Sequence, residues 1–529
     1  MNILKIYKMS CIKGEMMIIS LITMLQFSSC NDLLENDNKF YHVATQEQQW
    51  NSLSDTRSAL FGVYGLMRTA LGENNTYWAI GDLRLGDFTV RSREDLKAIR
   101  DNRLNAAYPL IQQIANWNRF YKVINAASLF IENAGNVLEK DDAYSVSNYQ
   151  YDIAQVRALR ALAYFYLVQM WGDVPLITYS YDNGTFPTLA RTDATIVLSY
   201  VKSELLAVVT RLPELLGSSS DKYYGGDANK WRGWLFSRYS IYTLLAQVAA
   251  WEGNYVDVES YAGYVLDNAN RITAPYTTIE NLVSTQGIFS RQYSNAYSAS
   301  RLVAFGYEYG DKITETSVDG HLESWTLAEP LIRKSLPDIY VSKDSLLSIF
   351  MSASTGDYRF GIDETVSLET YYKNYVTGFD SDTPVFSKIK VVRDGNATTT
   401  DLGMFGSFII LSRIEDIALL RAEALVILNR GEDGITYLNL VRGFRGLRTL
   451  SYLKDFNRDN KLLLKEIFQE RRRELMGEGH NWADQIRRAK LLGDDSKMLE
   501  LVNNNNIYWP VADEILMSNP EITQNEYWK

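Results

Sequence analysis

"IYTLLAQVAAWEGNYVDVESYAGYVL" (Ile241–Leu266) carries the evidence for the fold. It reads as a helix, a turn at Glu252–Asn254, and a second helix. Within it Tyr242, Leu245, Ala246, Gly253 and Tyr255 follow the order large, large, small, turn, aromatic. A second pair, "IALLRAEALVILNRGEDGITYLNLVRGF" (Ile417–Phe444), repeats the plan with a hinge expected at Gly431–Gly434. Upstream, "TRSALFGVYGLMRTAL" (Thr56–Leu71) places Leu60, Val63, Leu66 and Leu71 close to the 3.6-residue period of a helix. "YQYDIAQVRALRALAYFYLVQMWG" (Tyr149–Gly172) predicts a long and mostly buried helix stopped by Gly172 and Pro175. Asn116–Ala134 and Ala194–Leu212 are further helix candidates.

The residue order in the first pair is that of a tetratricopeptide unit, although no strict repeat of about 34 residues is visible. The expected fold is therefore mostly α: tetratricopeptide-like helical pairs in an α–α superhelix, with an irregular, loop-rich second half. That half begins near Ala274, where Ser, Thr, Gly and Tyr become dense. Short runs such as "RLVAFGYEY" and "VFSKIKVV" read there as strands or extended loops. The division predicted is a leader over 1–29, a helical region over 30–273, and a C-terminal region over 274–529. The last comprises a loop-rich insert (274–407) and a helical part (408–529).

The chain has 529 residues, more than one core usually fills. A formal charge of −10 argues against nucleic acid as a partner. The only cysteines, Cys11 and Cys30, lie in the first 30 residues, so the body has neither a disulfide nor a cysteine metal site. Lys5, Lys8 and Lys13 precede the apolar run "MMIISLITMLQF" (Met16–Phe27), which is too short to span a bilayer as a helix. "SSC" follows, which is the layout of a secretory signal with a cysteine at its cleavage point. Loss of residues 1–29 removes three Lys and one Glu and carries the charge from −10 to −12.

The densest charge lies in "FQERRRELMGEGHNWADQIRRA" (Phe468–Ala489). On a helical wheel Ile467, Phe468 and Leu475 fall within about 60° of Leu464, and Arg471 falls among them. Glu466, Glu470, Glu474 and Glu478 form an i, i+4 series that repels unless cations intervene, as Arg471 and Arg473 do. A buried Arg stays charged and needs acceptors. Glu474, Glu478 and Asp484 are within its reach. The segment is thus expected to be a structural ion-pair cluster of Glu470, Arg471, Glu474, Glu478 and Asp484. Gly477 and Gly479 would end one helix, and Asn481 would cap the next with Asp484 completing a capping box.

Catalytic readings find little in these residues. No HExxH, GxSxG or P-loop pattern is present, and the only histidines are His42, His321 and His480. No metal site and no cofactor is expected, while a structural calcium held by loop oxygens stays open. Nothing selects the carboxylate pair that glycoside hydrolysis needs.

Five blocks in order, "SSCNDLLE", "RALRALAYFYLVQMWGDVPLI", "RIEDIALLRAEALVILNRG", "ERRRELMGEGHNWADQIRRA" and "YWPVADEILMSNPEITQNEYW", resemble the SusD/RagB family of outer-membrane nutrient-binding lipoproteins. The resemblance implies a non-enzymatic protein held at the cell surface, in the outer membrane, by an acylated cysteine that matches Cys30. It implies a SusC-like TonB-dependent transporter as partner and an oligosaccharide as ligand. Peptides or other nutrients taken by the same lid mechanism are the alternative, and a surface glycoside hydrolase is a weaker one. Ligand residues do not follow from the resemblance. Sugars present C–H faces to aromatic rings and hydroxyls to Asp, Asn and Arg. Two stretches offer that mixture: Tyr77, Trp78, Asp82 and Arg84 in "NNTYWAIGDLRLGD", and Tyr293, Tyr297, Tyr307, Tyr309 and Trp325 further on.

Overall fold

A computed structural model describes residues 49–181, 188–214, 216, 233–269, 275–290, 298–306, 320–350, 356–363, 369–393 and 404–529. Its longer helices are α1 (Leu53–Gly72), α2 (Asn118–Asn133), α3 (Val146–Trp171), α4 (Ala194–Val209), α5 (Arg238–Glu252) and α6 (Tyr255–Asp267). After the loop-rich stretch come α7 (Ile414–Ile427), α8 (Gly431–Phe444), α9 (Asn460–Glu474) and α10 (Asn481–Leu492). Each helix from α2 to α8 packs on its predecessor, and α7 also packs on α9. The fold is mostly helical.

Local chemistry sets the helix ends. Ser145 Oγ accepts from Asn148 N at 3.1 Å to start α3. Gly172, at φ +74°, donates its N–H back to Val168 O and stops it. The side chains of α3 are buried on nearly every side because α2 and α4 flank it and α1 lies across it. The α5–α6 turn closes on Gly253, at φ +79°, and Asn254 then caps α6 by accepting from Asp257 N.

The second pair turns earlier than the glycines suggest. The hinge is Leu428–Arg430, with Asn429 at φ +61°. Gly431 and Gly434 lie in the first turn of α8 instead. A Cβ on Gly434 would meet Val426 Cγ2 at 2.8 Å, so this glycine lets the helices approach rather than bending the chain.

Described residues between 275 and 407 form short two-stranded ladders. β1 (Phe88–Val90) pairs antiparallel with β3 (Ile339–Val341). β2 (Arg301–Phe305) pairs antiparallel with β4 (Ile409–Arg413), which runs straight into α7. One apolar cluster includes Leu60, Phe165, Val303, Phe386 and Trp509, so the main core crosses residue 273. Among the described residues no helix is long and apolar enough to cross a membrane.

Candidate functional site

The charged segment forms the corner between α9 and α10. Arg471 Nε donates to Asp484 Oδ2 at 2.8 Å, and its Nη2 donates to Asp416 Oδ1 at 2.8 Å. Arg487 holds the other Asp484 oxygen at 2.8 Å and grips Glu423 through two bonds of 2.9 and 3.0 Å. Glu474 takes two bonds from Arg445 at 2.8 and 2.7 Å, one from Arg413 at 2.8 Å and one from Arg359 at 3.0 Å. Glu478 is held by Arg413 and by Lys388. Glu470 is held by Arg359 and Arg473, each at 2.8 Å.

Glu470, Glu474, Arg359, Arg413 and Arg445 have no exposed side-chain surface. Burial pushes the Glu470 carboxyl up, but Arg359, Arg473 and Arg442 outweigh it and hold it down to about 2. Glu474 is held well below the usual carboxylate range in the same way, by Arg445 and Arg413 against its burial.

Two expectations need correction. Arg471 does not bond Glu474 or Glu478, which belong to the Arg413 cluster. Its second acceptor is Asp416 on α7, a residue far away in the chain. Asn481 is also not the cap: it is the first helical residue, His480 occupies the cap position without a side-chain cap bond, and Asp484 receives two arginines.

The segment of Tyr77, Trp78, Asp82 and Arg84, expected as a loop, is helical over residues 76–83 and closes on this corner. Tyr77 Oη donates to Glu478 O at 2.6 Å, and Trp78 Nε1 donates to Gly477 O at 3.1 Å. Asp82 Oδ2 accepts from Gly479 N at 2.6 Å, and burial pushes its carboxyl up to about 7. Gly479, at φ +78°, has Gly81 and Tyr77 pressed so close that a Cβ would lie 2.3 Å from the Tyr77 ring. Arg84 donates to Asn102 Oδ1, Ile507 O and Asn506 O, and its guanidinium lies 4.0 Å over the Trp482 ring. Burial lowers its pKa to about 9.

All four side chains are buried, and their polar groups are engaged by the protein itself. They brace the corner from inside, and Tyr77 also lines the cavity described below. Trp325 is likewise in the main core, 5% exposed. Tyr293, Tyr297, Tyr307, Tyr309 and Cys30 lie outside the described residues.

Sequence reasoning missed Asp416, Arg413, Arg359 and Lys388. A signal existed for the first. α7 carries apolar residues all round and is buried on every face, so the charges within it have no solvent side and must pair internally. Arg359 and Lys388 sit in irregular chain, where no periodicity marks burial.

Another cluster bears on hydrolysis. His321 Nδ1 lies 2.9 Å from Ser407 Oγ, and Ser407 Oγ donates to Glu323 Oε2 at 2.8 Å. The three residues are fully buried, and burial lowers the His321 pKa to about 3. The hydroxyl sits in the middle and gives its proton to the carboxylate. In a nucleophilic triad the imidazole is in the middle and takes that proton.

Beside the corner lies a cavity of about 90 Å³, partly open to solvent. Tyr77, Phe120, Tyr166, Trp251 and Trp482 line it, together with Gln169 and Gln247.

Stacked tetratricopeptide-like helical pairs, joined through a buried ionic corner to an irregular half, define a mostly helical repeat class. Within it, the profile of the SusD family matches residues 369–528. A crystal structure of a SusD superfamily protein from Bacteroides thetaiotaomicron VPI-5482 is 51% identical, with a TM-score of 0.82, and the match covers 91% of this chain and 100% of that one. SusD-like protein P38 of Formosa agariphila is 24% identical over 546 residues, covering 96% of this chain and 97% of its own. A laminarin-binding SusD-like protein shares the fold at 19% identity and a TM-score of 0.64, over 90% of this chain and 100% of its own. The chain belongs to the SusD family.

Proposed function

We propose that this protein is a non-enzymatic surface lipoprotein of the outer membrane that captures oligosaccharides and passes them to a SusC-like TonB-dependent transporter. Its membership in the SusD family, through a relative 51% identical over 91% of the chain, carries this reading. A protein of the same fold binds laminarin. Residues 1–29 would be removed as a leader and Cys30 acylated. The body would then combine a helical region (30–273) with a C-terminal region (274–529).

The buried, inverted wiring of Ser407 speaks against a serine nucleophile there. Tyr77, Trp78, Asp82 and Arg84 bond within the protein and Trp325 is buried; Tyr293, Tyr297, Tyr307 and Tyr309 remain aromatic candidates to face a ligand.

Affinity electrophoresis and calorimetry of the purified chain against a polysaccharide and peptide panel test the reading. Retention by at least one glycan, without release of shorter products, is expected. Tyr307→Ala with Tyr309→Ala should weaken it. Turnover of a glycan, or binding of peptides alone, would replace the reading. Cys30→Ala should release the protein from membranes, and the wild-type chain should co-purify with a TonB-dependent barrel.

A further inference from the structure

The cavity beside the corner is built unlike the corner. Phe120 and Tyr166 lie nearly parallel on its wall, 6.1 Å apart with 8° between ring planes, and Tyr77 meets Tyr166 edge-on at 6.5 Å. Trp251 and Trp482 add two indoles. The Trp482 indole is 4% exposed, yet its Nε1–H has no hydrogen-bond partner. Buried indole N–H groups ordinarily find one. The Arg84 guanidinium stacks on the same ring at 4.0 Å and holds its orientation. Among the described residues, the Tyr166 hydroxyl and the Gln169 amide also have no hydrogen-bonding partner, although both line the cavity. Gln247 donates Nε2 to Leu411 O and to Asp416 Oδ2, which directs its amide into the same wall.

The charges here ask for no counter-ion. On this wall Asp416 and Asp484 are matched by Arg471, which pairs with both, and by Arg487, which pairs with Asp484. The cavity thus offers aromatic faces and unengaged neutral donors and acceptors, at the size of one small ring with an open side. Aromatic faces take the C–H face of a sugar ring, and amide, hydroxyl and indole groups take its hydroxyls.

We propose that this cavity binds one neutral hexose ring, either a free hexose or the terminal unit of a longer chain. The ligand class rests on the glycan-capture reading; the location rests on the cavity alone.

Crystals of the protein soaked with D-glucose, D-galactose or D-mannose, and calorimetry with each sugar and its β- and α-linked disaccharides, test it. At least one hexose should appear between Tyr166 and the two indoles. Gln169→Leu should weaken its binding at least tenfold, and Trp251→Phe less, at unchanged thermal midpoints. Tighter binding of a disaccharide than of its monosaccharide would identify the terminal unit of a chain as the source; equal affinities would identify the free hexose. Soaked cavities holding water only, or a Gln169→Leu variant that binds as tightly as wild type, would overturn the inference. The polysaccharide panel separates the two claims. Polymer retained with an empty cavity removes the cavity site alone, and a hexose seated without polymer binding removes glycan capture alone.

Discussion

The corner and the cavity share Arg471, Asp416 and Asp484 as a common wall, yet they are opposite in kind. In the corner, acids and guanidiniums are interlocked, so dense charge there is scaffolding. In the cavity the charges are few and paired, and neutral groups such as the Trp482 N–H are left without a partner. Charge density in a sequence is therefore a poor guide to a site.

Breaking the corner should cost most. Glu474 pairs with Arg359, Arg413 and Arg445 at once, and none of these has solvent to turn to. Glu474→Ala should lower unfolding free energy by about 3–5 kcal/mol, the range for stripping one partner from a buried ionic network. Chemical denaturation would measure it, and a loss below about 1 kcal/mol would mean that water reaches the cluster. Arg471→Ala removes the tie among α7, α9 and α10 and leaves Asp416 without its guanidinium. A loss of about 3 kcal/mol is expected, with glycan preference unchanged in whatever protein stays folded. A stable variant with abolished glycan binding would reverse the assignment of Arg471 to structure.

Much of the fold was legible because helical periodicity is local. The α5–α6 pair, including its Gly253 turn, lies within a residue or two of where apolar spacing puts it. The wheel placed Arg471 in the core correctly, since its neighbours on α9 decide that. Its partner was not legible: Asp416 is 55 residues away, and only packing brings it near. The bracing role of the Tyr77–Arg84 segment was not legible for a related reason. Tyr, Trp, Asp and Arg suit a sugar and suit exposed backbone at a glycine corner equally well, and composition does not say which one they face.

Asp82 separates these roles through pH. Its carboxyl is buried and titrates near 7 instead of near 4. A folded pKa above the unfolded one means that folding takes up a proton, so this group weakens the fold as pH rises from about 4 to about 7 and adds no further change above that. The slope should approach, at most, about 1.4 kcal/mol per pH unit. Asp82→Asn keeps an oxygen for the Gly479 N–H and should flatten this limb of the stability profile. Glu470 acts in the other direction. Its pKa, depressed to about 2, gives stability that is full above about pH 4.5 and lost as pH falls through 2. Denaturation midpoints for Asp82→Asn that still fall between pH 4 and 7 as wild type does would assign the titration to Glu323, which burial also raises to about 7.

The smallest effect belongs to charges that resemble the corner on paper. Lys97 and Glu94 pair at 3.5 Å across one helical turn, as Arg473 and Glu470 do at 2.8 Å. The first pair is about half exposed on both sides and the second is fully buried. Lys97→Ala should shift stability by less than about 0.5 kcal/mol, because water already solvates both partners and salt screens them. Raising the salt concentration should erase even that shift while leaving the Arg473 pair untouched. A salt-insensitive loss at Lys97 would mean that its aliphatic stem, rather than its charge, carries the contribution.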